Sequence, residues 1–205
     1  MMRYRSANSF GFGPIGFLII LNLIMFVATS IKPDLFIDLF GLYPDGFLDK
    51  PWTIITNLFI HSPFRIYNPF GSIWHILANM WALYFFGSFV IRLIGEGRFI
   101  ITYFIGGIIG NIFFMILGPE NSIAIGASGA IFAIAGTLTI MRPKLPIVLF
   151  PIPIPMPLWV AVIGGFVLLT LLSLGLNVAW EAHLGGLLVG LIAGYIFRRR
   201  VRLNF

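Results

Sequence analysis

Cysteine is absent from all 205 residues, which removes thiol catalysis, disulfide staples and thiolate metal sites together. Charge is nearly as scarce: 10% of the residues are Asp, Glu, Lys or Arg, against about a quarter in an ordinary soluble domain. Such a chain cannot cover a water-facing surface, whereas its 59% of hydrophobic residues suits one that faces lipid. Every aspartate lies between positions 34 and 49, which excludes paired catalytic aspartates inside apolar segments. None of the three histidines opens an H-E-x-x-H motif, so zinc-peptidase chemistry is excluded too, and no metal or other cofactor is expected.

What is present is apolar sequence in lengths that suit a bilayer. A crossing needs about 20 mostly apolar residues, and six stretches can be marked, near 14–31, 73–94, 99–117, 123–141, 157–175 and 179–197. The expectation is an all-α polytopic membrane protein, a single membrane domain over 1–205 built as a six-transmembrane-helix bundle. The net charge of +6 reads as topology and not as nucleic-acid binding. With the N-terminus inside, ten of the thirteen Lys and Arg fall on the inner side, leaving Lys32, Lys50 and Arg65 outside. Both termini are therefore expected in the cytoplasm of a cell membrane, with 198–202 anchoring at lipid headgroups. Arg3 and Arg5 before an apolar run ending in Ala28, Thr29 and Ser30 also fit a signal peptide; retention as a first span is the expectation.

Two segments do not fit plain connectors. The external stretch 32–72 is long and aromatic, and within it residues 51–60 are apolar but too short to cross, which suggests an interfacial or re-entrant element, or else a plain hydrophobic lid. Six of the thirteen prolines crowd into 143–157, which forbids a continuous helix and favours an extended inner-side linker.

Polar groups in apolar helices are costly and need a partner, water or a function. His61, His75 and His183 all fall on external loops or in the outer halves of spans, so they can meet at one depth. Gly126-Ala127-Ser128-Gly129 opens the fourth span and puts a hydroxyl near a helix N-terminus, where backbone N–H donors favour charge on a carbonyl oxygen. A small-residue packing site would read the same way. His183 opens the sixth span, and Gly186, Gly190 and Gly194 repeat along one face, permitting close contact with another helix. If that helix is the fourth, Ser128 and His183 come within proton-transfer reach; a histidine bonded to a backbone carbonyl is the alternative. Glu181 lies on another side of the helix, so the arrangement would be a dyad. His75 and Asn79, four residues apart, share a face and could stabilise an oxyanion with the Ser128 N–H, or could simply bond between helices.

On these residues the chain resembles the rhomboid family of intramembrane serine proteases. The matching features are 52–61, His75-x-x-x-Asn79, Gly95 with Arg98-Phe99, Gly126-Ala127-Ser128-Gly129-Ala130-Ile131-Phe132 and Ala182-His183-Leu184-Gly185-Gly186. The resemblance implies a rhomboid-like bundle in which Ser128 is nucleophile, His183 general base and then acid, and His75 and Asn79 the side-chain part of the oxyanion hole. It also implies that Phe132 packs on the catalytic imidazole, and that the substrates are transmembrane proteins cut after small residues through an acyl-enzyme. Many relatives carry Trp-Arg where Trp52-Thr53 stands here, so the anchoring of that loop must differ. A polar hollow lined by His61, His75, Asn79, Ser128 and His183 is expected to admit water. The competing readings are an inactive rhomboid-like protein that binds membrane clients, and a small transporter, whose symmetric broken helices are not evident.

Overall fold

In a computed structural model of the chain, residues 13–64, 69–149, 152–172 and 179–203 are described. The elements run α1 (Pro14–Ile31), α2 (Pro33–Phe40), α3 (Thr53–Thr56) continued by a 3-10 turn (Asn57–Phe59), α4 (Pro69–Ile94), α5 (Glu96–Leu117), α6 (Ser128–Met141), β1 (Pro146–Leu149), β2 (Ile152–Pro157), α7 (Leu158–Leu172) and α8 (Trp180–Leu203). Among the described residues four helices, α1, α4, α5 and α8, are long and apolar enough to cross a membrane.

The helices are built for lipid on the outside. In α1 the exposed side carries Phe17, Ile24, Val27 and Ile31, while the buried positions are Leu18, Asn22 and Thr29. Polarity thus points inward, the reverse of a helix on a water-soluble core, because in hydrocarbon only the interior offers hydrogen-bond partners. Asn22 Nδ2 donates to Leu18 O at 2.8 Å and the Thr29 hydroxyl to Met25 O at 2.7 Å. Pro33 follows immediately and ends the helix, since its ring cannot continue the ladder.

Helix α6 is the hub, with α4, α5, α7 and α8 all packed on it. Eleven of its fourteen residues are buried, many of them Gly, Ala or Thr. Against it α8 lays its glycine stripe: a side chain at Gly186 would strike the carbonyl of Gly129, and one at Gly190 the carbonyl of Ala133. One at Gly194 would stand 2.7 Å from Thr137 O. Close approach lets the Thr137 hydroxyl reach Gly190 O at 3.1 Å across the interface, the kind of contact that holds helices together where water cannot drive them.

The described elements depart from the sequence expectation at the start of α6, in the proline-rich linker and at the end of α8, which runs to Leu203, six residues past the expected 197. The fourth predicted span began at 123, whereas α6 begins at Ser128. Residue Ala124 is instead bridged to Leu42 by a pair of backbone hydrogen bonds of 2.9 and 3.1 Å, and Gly126 takes φ = 116°, which ends any helix running through it. The fifth predicted span ran to 175; α7 is described to Leu172, and 173–178 lie outside the described residues. The proline-rich linker is extended as expected but pairs with itself, β1 against β2 antiparallel, so the fold is not purely helical. Ile147 is buried against the core, while Val148 and Ile154 are exposed.

The segment between α1 and α4 is pinned at several points. The Trp52 indole donates to Leu39 O at 2.8 Å, Lys50 reaches both the carbonyl and the carboxylate of Asp38, and the Thr56 hydroxyl donates to Phe40 O. These contacts with the end of α2 supply an anchoring that needs no arginine after Trp52. Deeper, Asn57 and Asn111 of α5 exchange reciprocal amide bonds of 3.0 and 2.8 Å, and Asn111 also donates to Ile54 O at 2.7 Å. Both asparagines are buried. Asn111→Leu leaves the Asn57 amide and the Ile54 carbonyl without these partners, at about 1–3 kcal/mol for each group. The expected outcome is a clearly lowered Tm in detergent, measured by tryptophan fluorescence or light scattering.

Candidate active site

Helix α6 starts at Ser128 because Gly126 turns the chain in a conformation that side-chain-bearing residues rarely adopt. The Gly126 N–H donates to Asn57 O at 2.9 Å, so the pinned segment around Asn57 also fixes the approach to the helix. The first backbone N–H groups of α6 have no partner within their own helix, and half-buried Ser128 is the first residue of that helix.

The register of α8 on α6 brings His183 to this point. Ser128 Oγ and His183 Nε2 are 2.7 Å apart, although 55 residues separate them in sequence. His183 is buried, and Phe132, one turn beyond Ser128, packs its ring against the imidazole with centroids 4.8 Å apart. Phe166 of α7 meets Phe132 edge-on at 6.1 Å, which closes the outer side of the stack. Among the described residues no carboxylate reaches His183: its Nδ1 is buried without a hydrogen-bond partner. Proton transfer from Ser128 Oγ to Nε2 requires the proton of the neutral ring to sit on Nδ1.

His75 lies on the other side. Its Cε1 and Nε2 approach the place where a Gly126 side chain would stand, at 3.3 and 3.4 Å, so the absence of a Cβ there makes room for the imidazole. Asn79, one turn on, is buried and donates from Nδ2 to His75 O at 2.8 Å. An amide has two N–H groups, so one remains for a ligand. His61 is fully buried; it packs edge-on against His75 with centroids 5.2 Å apart, and its Nε2 lies 2.8 Å from Asn22 Oδ1.

Beside Ser128 a cavity of about 660 Å³ opens between α4, α6 and α7. The expected polar hollow differs from it in make-up. Of the five residues proposed to line it, Asn79 and Ser128 do, whereas His61, His75 and His183 are not among its lining residues. The remainder is apolar, including Trp74, Leu77, Phe86, Ile131, Phe132 and Val162. Side chains of this kind suit an apolar helix or acyl chain, with polar atoms confined to the end where Ser128 sits.

Sequence reasoning missed Asn22, Asn57 and Asn111. All three are buried polar groups in apolar surroundings, the same signal that singled out the histidines.

Comparison with known proteins follows the same lines. The sequence model of the Rhomboid domain matches residues 48–200. Rhomboid protein 1, mitochondrial, of Saccharomyces cerevisiae is 28% identical over 180 residues, covering 81% of this chain and 47% of that protein. Rhomboid protease GluP of Bacillus subtilis is 29% identical over 148 residues, covering 69% of this chain and 25% of that one. The presenilin-associated rhomboid-like protein A, mitochondrial, of Danio rerio is 32% identical over 151 residues, 63% of this chain and 37% of that one. Each match thus takes in less than half of the relative's own length. With a Rhomboid-domain match over most of its length and helices fit to span a bilayer, this chain is a multi-pass integral membrane protein that belongs to the rhomboid family.

Proposed function

We propose that the chain is an intramembrane serine endopeptidase that cuts transmembrane segments of other membrane proteins with a Ser128–His183 dyad. The observation that carries this reading is the 2.7 Å contact between Ser128 Oγ and His183 Nε2 beside a cavity lined mainly by apolar side chains. In the proposed reaction Ser128 Oγ attacks the scissile carbonyl as its proton passes to His183 Nε2. The Ser128 N–H with Asn79 and His75 stabilises the oxyanion. The C–N bond then breaks as His183 returns that proton to the leaving amine. Water, deprotonated in turn by His183, hydrolyses the acyl-enzyme and the proton goes back to Ser128. A substrate helix reaches Ser128 sideways between α4 and α7, against the apolar wall, and unwinds locally to present its backbone.

In this reading the protein is one domain with six crossings, α6 and α7 completing the four longer helices, and both termini lie on the basic, cytoplasmic face of a cell membrane. The GluP relative, which is named a protease, supports the activity. The test needs no known substrate. A fluorophosphonate probe in detergent is expected to label the wild type, and labelling is expected to vanish in both Ser128→Ala and His183→Ala. Labelling that persists in His183→Ala would mean that the imidazole does not activate the hydroxyl. A wild type that never labels and never cuts a reconstituted transmembrane reporter would favour a rhomboid-like binder without chemistry.

A further inference from the structure

We infer that Asn22, on α1 and outside the stretch matched by the Rhomboid domain, is a positioning residue for the oxyanion side of the site and acts through His61 on His75. The inference rests on the protease reading above.

The chain of contacts starts in α1. Asn22 Nδ2 donates one of its two N–H groups to Leu18 O at 2.8 Å, which fixes the amide so that Oδ1 faces His61 Nε2, also at 2.8 Å. An amide oxygen only accepts, so His61 Nε2 must carry the proton and donate it. Asn22 and His61 are each 0% exposed, and a buried amide oxygen and ring nitrogen left unpaired would both be costly. The bond therefore fixes the ring plane of His61 and selects one tautomer.

The fixed ring of His61 in turn meets His75 edge-on, 5.2 Å between centroids at 62°. His75 has Gly126 against its Cε1–Nε2 edge, two residues before Ser128. It is thus held between a ring oriented from α1 and the backbone turn that launches α6. Without Asn22, His61 loses its acceptor and can rotate, and the face supporting His75 is no longer set. Ser128, His183 and Phe132 take no part in this chain of contacts, so the nucleophile and base keep their geometry.

Two substitutions of nearly the same shape separate this role from simple packing. Asn22→Leu removes the acceptor, and Asn22→Asp keeps an oxygen where Oδ1 stood. In liposomes with a transmembrane reporter, Asn22→Leu is expected to lower kcat about tenfold to a hundredfold, with KM unchanged, and Asn22→Asp to recover most of the loss. Equal loss in both variants, or none in Asn22→Leu, would overturn the inference. A second measurement is independent of turnover and of the variants folding. In histidine-labelled wild-type or Ser128→Ala protein, the imidazole ¹⁵N shifts of His61 are expected to show Nε2 protonated and Nδ1 bare. The opposite tautomer or an imidazolium would refute the inference even in an active enzyme. A wild type without Ser128-dependent cleavage would refute the protease reading while leaving this tautomer result to stand.

Discussion

Replacing Ser128 by alanine is expected to lower reporter cleavage by about 10⁴-fold or more, and replacing His183 by alanine to cost nearly as much. The losses are expected not to add. In the proposed mechanism the hydroxyl is inert until Nε2, 2.7 Å away, takes its proton, and the imidazole has nothing to deprotonate once the hydroxyl is gone. The double variant should therefore be no slower than either single one. The check is single-turnover cleavage of a transmembrane reporter in liposomes, with all three variants compared for melting temperature in detergent. Log-additive losses would mean that serine and imidazole act separately, and the dyad would have to be abandoned.

The second large effect is expected far from any reacting atom. Gly186→Val puts a branched side chain against the carbonyl of Gly129, where only backbone stands in its way. Over-packing costs about 1–3 kcal/mol when neighbours can yield, and here no side chain is available to do so. Helix α8 must move off α6, and the register that brings His183 to Ser128 moves with it. A displacement of about 1 Å at reacting groups can cost about 10²-fold in rate. The expected result is a strongly lowered Tm together with loss of fluorophosphonate labelling. Gly164→Ala is the matched control, because a Cβ there meets nothing within 4 Å. A Gly186→Val protein as stable and as reactive as the wild type would show that the glycine stripe does not set the site.

How far the sequence can be read depended on which physical signal each element carries. Helices α1, α4, α5 and α8 announce themselves by uninterrupted hydropathy, and their boundaries fall within about four residues of the expected ones except at the end of α8, which continues through the basic residues to Leu203. The start of α6 was not legible in that way. Ile123, Ala124 and Ile125 are as apolar as the helix that follows, and what stops the helix short of them is the turn at Gly126 together with a bridge from Ala124 to Leu42, far away in the chain. The hairpin of β1 and β2 was hidden for the opposite reason. Prolines at every second position remove ladder donors, so the run reads as unpaired extended chain, yet a two-stranded ribbon with free edges tolerates them.

At the site, Ser128 and His183 could be paired from sequence because small residues flank both and because close helix packing needs such residues. Asn22 was passed over although it obeys the rule applied to the histidines. An asparagine among Leu and Ile in a first span offers no chemistry of its own, and its importance appears only once the fold sets His61 beside it. Asn57 and Asn111 are the same case, 54 positions apart and meaningful as a pair.

The shortness of α6 acts as a depth gauge. Fourteen residues rise about 21 Å, some 9 Å less than the roughly 30 Å of hydrocarbon in a bilayer. In the proposed topology, which puts Arg142 at the inner headgroups, Ser128 would stop about a third of the way down from the outer surface, and a substrate helix standing alongside would be met roughly six residues below its own emergence from the membrane. Clients would then be sorted by where along their length a weak turn falls, before any side chain is compared.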